Sequence, residues 1–303
     1  MQERSDPAGL ILARNTFLLN EAESLGAAFA QAGVLVIFLK GTAMLLRGMV
    51  GMGKRKMADI DILVRGGSRA EAERVLFGLG YSRAATRDYA KASPAGLAFD
   101  SYVDLHEGLW HGDEDLIWQE GAPVSCGSSQ VLALTPEAMA VHCMAHSLFS
   151  RGCLDERARR DLPMIFRCRD LSWEKFCSHV QSLRLQAMAS AVMLELFGAG
   201  VNIPEWVFGR LSPSGMGRLA YSIFRRGCGP RPNLALEYLL PLLVNPGLAR
   251  RAFFPGREEL MLRYGSASPL SLLRRQAGLL RGLFWKLGAR VGAHVLIRRY
   301  SRK

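Results

Sequence analysis

The chain has 303 residues, of which 49% are hydrophobic and 22% are charged, and these fractions exclude wholesale disorder. A chain of this length is too long for one small domain, so we predict two domains. Its formal net charge of +12 favours a polyanionic partner, such as nucleotide phosphates, nucleic acid or an anionic membrane face, without selecting among them.

Signals for export or membrane insertion are not apparent. The apolar stretches near the N-terminus are interrupted by Arg14, Asn15 and Asn20, unlike those of a signal peptide. No run approaches the roughly 18 uncharged apolar residues of a transmembrane helix. The six cysteines are scattered without paired spacing, as in a protein that keeps its thiols reduced. We therefore expect a cytoplasmic protein that does not span a membrane.

The first part of the chain alternates predicted helices with short strands. Apolar residues at helical spacing predict a helix over 15–32, and the apolar run over 34–39 is typical of a buried strand. The turn at 40–42 opens a second helix, and a loop rich in glycine and lysine leads into a strand over 57–64. With two more strands expected between 81 and 106, the pattern predicts a small mixed β-sheet with flanking helices.

The remainder of the chain is mostly helical by its pattern. Thr135-Pro136-Glu137 is typical of a helix start, with threonine as the cap and proline at the first helical position. We therefore predict an α+β protein. Its domains are expected to be a sheet-containing core over 1–130, a helical domain over 131–268 and a final basic segment over 269–303.

The final segment, 269–303, is predicted to be a basic amphipathic helix. No acidic residue follows Glu259, and the apolar residues of the segment share one helical face while arginines and lysines lie largely around the other. Two interpretations stay open. The helix either contacts an anionic partner, such as the inner face of a membrane, or packs on the body of the protein with its charges in solvent.

Three aspartates point to metal chemistry. Asp59 and Asp61 stand two apart on a predicted strand, so both side chains lie on one face while Ile60 lies on the other. Asp104 shares the face of a later strand with His106. Neighbouring carboxylates repel each other unless a cation lies between them, and such ligands suit Mg²⁺ or Mn²⁺. Solvated aspartates at a strand end are the competing interpretation of the first pair.

Phosphate chemistry is indicated by the turn before the second predicted helix. A helix N-terminus offers free N–H groups to phosphate, Gly41 permits close approach of the backbone, and Lys40 adds positive charge. Arg55, in the loop before the aspartate strand, is either a further phosphate contact or a solvated loop charge. Three carboxylates beside such a turn can hold two metal ions, one activating a hydroxyl and the other supporting a leaving pyrophosphate.

Other side chains fit simpler interpretations. His142 and His146 stand four apart on a predicted helix, as metal ligands can, but no second ligand pair follows and we favour ordinary packing. His106 either orients a carboxylate or an acceptor, or packs in its strand. We expect Asp161 to cap or pair locally within the helical domain.

The order and spacing of these motifs resemble the nucleotidyltransferase superfamily of the DNA polymerase beta type, in particular the group labelled uncharacterised nucleotidyltransferase-like proteins. The likeness consists of FLKGTAMLL, RKMADIDILV and VDLHEGL, and it continues more weakly through AVHCMAH and ARRDLPMIF, over roughly residues 20–200. The superfamily usually has Gly-Ser where this chain has Lys40-Gly41, which is the form of the narrower group.

The resemblance implies a reaction and a set of site residues. The expected reaction is the transfer of a nucleoside monophosphate from a nucleoside triphosphate such as ATP to an unidentified small-molecule, peptide or protein acceptor. Pyrophosphate leaves, and Mg²⁺ or Mn²⁺ is required. The implied metal-binding and catalytic residues are Asp59, Asp61 and Asp104, and the implied nucleotide-binding residues are Lys40, Gly41, Thr42 and Arg55.

A protein that binds without catalysis is the alternative function. Such a protein would keep the nucleotidyltransferase fold and dock on an anionic partner or a membrane surface through its basic segment. Specific nucleic-acid binding is not expected, because no recognised nucleic-acid-binding motif accompanies the positive charge.

Overall fold

The computed structural model describes residues 7–84, 89–93, 99–109, 114–151, 153–215, 217–228, 268 and 270. The chain divides into two units, Met1–Leu240 and Pro241–Lys303. Every element described below belongs to the first unit. The basic segment predicted over 269–303 lies outside the described residues except for Leu270.

Strands and helices alternate at the start of the first unit, and helices dominate its end. The strands are β1 (Val36–Phe38), β2 (Ile60–Val64), β3 (Ser82–Arg83), β4 (Tyr89–Lys91), β5 (Ser101–His106), β6 (Gly121–Cys126) and β7 (Ser129–Leu134). The helices are α1 (Pro7–Gln31), α2 (Lys40–Leu46), α3 (Arg69–Gly78), α4 (Glu114–Gln119), α5 (Pro136–Arg151), α6 (Glu156–Phe166), α7 (Trp173–Ser182), α8 (Gln186–Gly198), α9 (Glu205–Arg210) and α10 (Gly217–Gly227).

A single mixed sheet organises the strands in the order β3-β4-β5-β2-β1-β7-β6. Strand β2 pairs in parallel with β5 and antiparallel with β1, and β1 pairs in parallel with β7. Helices flank this sheet and continue after it, which confirms the predicted α+β class. The sheet runs to Leu134, beyond the boundary expected near residue 130, and the division into three domains stays a prediction.

The centre of the sheet is its most buried part. All five residues of β2 and all three of β1 are buried, so both faces of the sheet are covered at its centre. Helix α1 packs against β6, β7 and α3, and α2 packs against β2. Helix α5 packs against α6, α7 and α8 and also touches β7, so it connects the helical part of the unit to the sheet.

The pattern of residues 173–200 predicts one continuous helix, but the structure has two helices there, so that prediction is wrong. Helix α7 ends at Ser182, and α8 begins at Gln186. Between them, Arg184 adopts a left-handed backbone conformation with φ of 55°, which is incompatible with a continuing α-helix. The sequence has no glycine or proline at this point to indicate the break.

Two further observations concern cysteines and membranes. All six cysteines are free thiols, as their spacing predicts. In the part of the chain that the structure describes, no helix combines the length and the apolar character needed to cross a bilayer.

Candidate active site

The pairing of β1, β2 and β5 brings the site together. Because β2 and β5 pair in parallel, Asp61 lies directly opposite Asp104 in the register. Strand β1 runs antiparallel to β2, and the N–H of Leu39 donates to the carbonyl of Asp61 at 3.0 Å. The turn that follows β1 therefore places Lys40 beside the same carboxylates.

Asp61, Asp104 and His106 form a compact cluster of ligand atoms, one from each residue, which all lie within 4.8 Å of one another. Nε2 of His106 lies 3.2 Å from Oδ1 of Asp61 and 3.1 Å from Oδ2 of Asp104. Two carboxylates and an imidazole are suitable donors for a divalent cation. The chemistry of these residues thus fits the metal that the sequence motifs imply.

Lys40 projects into this cluster from the start of α2. Its Nζ lies 2.5 Å from Oδ1 of Asp61 and 3.9 Å from Oδ2 of Asp104. The residue has a φ of 45°, a left-handed conformation that is uncommon for lysine. The backbone therefore turns sharply between β1 and α2, and this turn directs the ammonium group toward the two carboxylates.

Electrostatics distinguish the groups of the cluster. Burial opposes ionisation of Asp61, but its hydrogen bond with His106 and the charge of Lys40 hold its pKa at about 2. Burial likewise opposes protonation of His106, but its hydrogen bonds with Asp104 and Asp61 raise its pKa to about 9. Asp61 is therefore ionised at neutral pH, and a positively charged imidazole lies beside it.

Asp59 lies just before β2 and is half-buried. Burial, followed by the nearby charge of Asp61, raises its pKa, whereas the charges of Lys40 and Arg157 act in the opposite direction. Asp104 also raises the pKa of Asp59. The three aspartates singled out in the sequence thus share one electrostatic neighbourhood, and His106 is the third member of the tighter ligand cluster.

Arg55 is buried, with 5% of its surface exposed, so the expectation of a solvated loop charge is wrong. Its Nε lies 3.0 and 3.1 Å from the two carboxylate oxygens of Asp161, and a terminal nitrogen lies 2.7 Å from Oδ2. Asp161 also pairs locally, as expected, because Nε of Arg160 lies 3.5 Å from its Oδ1, but its closer partner, Arg55, is 106 residues away. The pair joins the loop before β2 to helix α6.

Gly41 and Thr42, the next two residues of the turn, are buried. A Cβ atom on Gly41 would collide with the guanidinium group of Arg55, so the close approach that this glycine permits is to Arg55. The Thr42 hydroxyl is buried and has no hydrogen-bond partner among the described residues. The turn is thus packed tightly against the buried Arg55–Asp161 pair.

A cavity opens beside Lys40, between the turn and helices α5 and α6. Its volume is about 60 Å³, and its walls include Arg157, His142 and His146. The two histidines, for which the sequence favours ordinary packing, have ring centroids 5.8 Å apart. Sequence reasoning missed Arg157, because nothing in the pattern separates it from the other arginines of α6.

Comparison with known proteins agrees with the sequence motifs. Residues 8–196 match the model of a family described as uncharacterised nucleotidyltransferase, and this range contains every site residue named above. A comparison with curated proteins gives no match.

Two solved structures are similar to this chain. One is the antibiotic-resistance factor ANT(2'')-Ia, at 18% identity and a TM-score of 0.40, covering 61% of this chain and 99% of that chain. The other is an antigenic nucleotidyltransferase-like protein from Paracoccidioides brasiliensis, at 15% identity and a TM-score of 0.44, covering 68% of this chain and 98% of that chain.

Proposed function

Because the chain belongs to the uncharacterised nucleotidyltransferase family, we propose that it transfers a nucleoside monophosphate from a nucleoside triphosphate to an acceptor and releases pyrophosphate. ATP is the first candidate donor, and a hydroxyl or phosphate group is the nucleophile of the acceptor. The observation that carries the proposal is the cluster of Asp61, Asp104 and His106, in which ligand atoms from adjacent strands converge within 4.8 Å.

Asp59, Asp61 and Asp104 are the proposed ligands of Mg²⁺ or Mn²⁺. His106, whose raised pKa keeps it protonated, orients the carboxylate oxygens of Asp61 and Asp104. Such a cation, when bound, neutralises phosphate charge and activates an attacking hydroxyl. Asp61 supports this assignment because its pKa of about 2 leaves it ionised, and a metal ligand must be deprotonated. The carboxylates on β2 and β5 are held in place by the paired strands, so little rearrangement is needed on binding.

The phosphates of the nucleotide are proposed to lie against the turn at Lys40, Gly41 and Thr42. Arg55, which packs against this turn, is proposed to add positive charge near the phosphates. Two nitrogens of its guanidinium group already donate hydrogen bonds to Asp161. Arg157 is exposed and lines the cavity beside Lys40, and we add it as a phosphate contact from the helical part. Catalysis by these groups consists of positioning and charge neutralisation.

Label transfer tests the proposal directly. Purified protein is mixed with Mg²⁺ or Mn²⁺, each α-labelled nucleoside triphosphate and a host extract as the source of acceptors. We expect the wild type to label an acceptor and Asp61→Asn and Asp104→Asn to lose about 100-fold or more of that activity, as when key transition-state contacts are removed. Asp170→Asn is the control, because Asp170 is exposed and lies outside the cluster. If the wild type neither binds nucleotide nor transfers label, the proposal fails.

A further inference from the structure

Lys40 neutralises one carboxylate oxygen of Asp61, which is a proposed metal ligand. Its Nζ lies 2.5 Å from Oδ1 of Asp61, and the same oxygen lies 3.2 Å from Nε2 of His106. The side chain of Asp61 is only 5% exposed, so water can screen charges there only weakly. An ammonium group and a divalent cation at this oxygen would repel each other strongly, and the two therefore exclude each other.

The ammonium group of Lys40 can also reach a second location, in the cavity beside the turn. Its side chain lines the cavity that Arg157 lines from α6, and the proposed phosphates lie on that side of the turn. A lysine side chain has four flexible carbon bonds and a compact charged end. The ammonium group can therefore move while the backbone stays fixed by pairing between Leu39 and Asp61.

We propose that Lys40 is an exchangeable counter-charge, which neutralises Asp61 until a divalent cation replaces it and which then moves to the phosphates of the nucleotide. This inference rests on the proposed function and adds to it the order in which Lys40 changes partners as the cation and the nucleotide bind. Binding of the cation alone must break the ion pair between Lys40 and Asp61. When nucleotide binds as well, the displaced ammonium group gains a new partner, so cation and nucleotide bind with positive coupling through Lys40.

Titrations with Mn²⁺ test this exchange without turnover. The affinity for Mn²⁺ is measured with and without the α,β-methylene analogue of ATP, in the wild type and in Lys40→Met. Without nucleotide, Lys40→Met is expected to bind Mn²⁺ about tenfold more tightly, since its competitor is gone. The gain in Mn²⁺ affinity that the analogue produces is expected to fall by about the same factor, which lies within the usual range of coupling between sites.

Two further variants separate exchange from simpler effects. Lys40→Arg keeps a positive charge, so its Mn²⁺ affinity without nucleotide should stay near that of the wild type. Lys56→Met removes an exposed positive charge from the loop before β2, and Lys56 is not among the residues proposed to bind the cation or the nucleotide. We expect it to change the nucleotide-free Mn²⁺ affinity by less than about threefold, whereas a general electrostatic effect would make it equal to Lys40→Met.

The outcomes also distinguish this inference from the proposed function. Unchanged or weaker Mn²⁺ binding by Lys40→Met, equal tightening by Lys56→Met, or a wild type that binds no Mn²⁺ would overturn the exchange. If the wild type binds Mn²⁺ but not the analogue, the proposed function fails and so does the movement of Lys40 to phosphate. Tighter Mn²⁺ binding by Lys40→Met alone, together with a loss of coupling, supports the exchange.

Discussion

Asp61 is the side chain on which the site depends most, because it is ionised although almost fully buried. Its contacts with Lys40 and His106, at 2.5 and 3.2 Å, offset the cost of placing this charge in the interior. Asp104 is more exposed, at 36% of its side chain, and lies at the solvent side of the cluster. The two carboxylates therefore differ in environment, one enclosed by positive groups and the other open to an incoming ligand.

Gly41 is predicted to tolerate no side chain, because the turn packs closely against Arg55. Gly41→Ala should destabilise the protein by about 1–3 kcal/mol, because its methyl group would displace an Arg55 guanidinium that Asp161 holds in place. Gly78→Ala is the matched control, since a Cβ atom at this helical glycine meets nothing within 4 Å and alanine favours the helix. Urea unfolding of both variants measures the difference, and equal stabilities would contradict the packing described for the turn.

Sequence reasoning identified the carboxylates, Lys40 and His106, but not the contacts that these residues make with one another. Because side chains alternate along a strand, Asp104 and His106 are predicted to lie on one face. The parallel register of β2 and β5 then places Asp61 directly opposite Asp104. The importance of His106 was not distinguishable from strand packing, since both give the same spacing. Arg55 was assigned to solvent or phosphate because its partner, Asp161, lies 106 residues away, and no local pattern records such a contact.

At the scale of elements, helix α1 anchors the loop that leads into β2. The side-chain amide of Asn15, a buried residue of α1, donates to the carbonyls of Met52 and Arg55 at 2.5 and 2.7 Å. Its oxygen accepts from the N–H of Met57 at 3.0 Å, and Nε of Arg14 donates to the carbonyl of Met57 at 2.7 Å. The approach to Asp59 is therefore fixed by α1 on one side and by the Arg55–Asp161 pair on the other.

Breaking the buried Arg55–Asp161 ion pair is predicted to destabilise the protein more than breaking an ion pair on the surface. Arg55→Met alone should cost about 3–5 kcal/mol, because it leaves the Asp161 charge buried without its partner, and the double variant Arg55→Met, Asp161→Leu should recover much of that loss. Arg74→Met, which breaks the exposed pair between Arg74 and Glu71, should cost less than about 1 kcal/mol. Denaturant unfolding compares the variants, and a similar cost for both single changes would argue against a buried, interlocking pair.

The hairpin β6–β7 is one part of the fold that the sequence pattern did not predict, and another is a third strand between 81 and 106, where two were expected. Strand β6 contains Gly121, Pro123 and Ser125, and none of these residues favours a strand. It lies at the edge of the sheet, where a proline without an N–H is tolerated because one side of the strand has no partner. By contrast, the buried runs of β1 and β2 are apolar enough to be recognised directly.

The charge of the whole molecule, +12, leads to a prediction about the basic segment over 269–303. If that segment contacts an anionic membrane, the full chain should float with vesicles that contain anionic lipid, and a chain truncated before Pro269 should not. Binding should weaken as salt is raised, because added ions screen the attraction. Vesicles of neutral lipid are the control, and equal flotation of the two chains would rule out this role for the segment.

Nucleotidyl transfer at the Asp61–Asp104 cluster is the central claim for the molecule as a whole. The most direct measurement compares α-labelled with γ-labelled nucleoside triphosphate in otherwise identical reactions with Mg²⁺ and the host extract. We predict that α-label enters the acceptor, that γ-label is released in pyrophosphate, and that Asp61→Asn slows both events about 100-fold or more. Acceptor labelled from the γ position, or transfer of α-label by Asp61→Asn at the wild-type rate, would contradict the account.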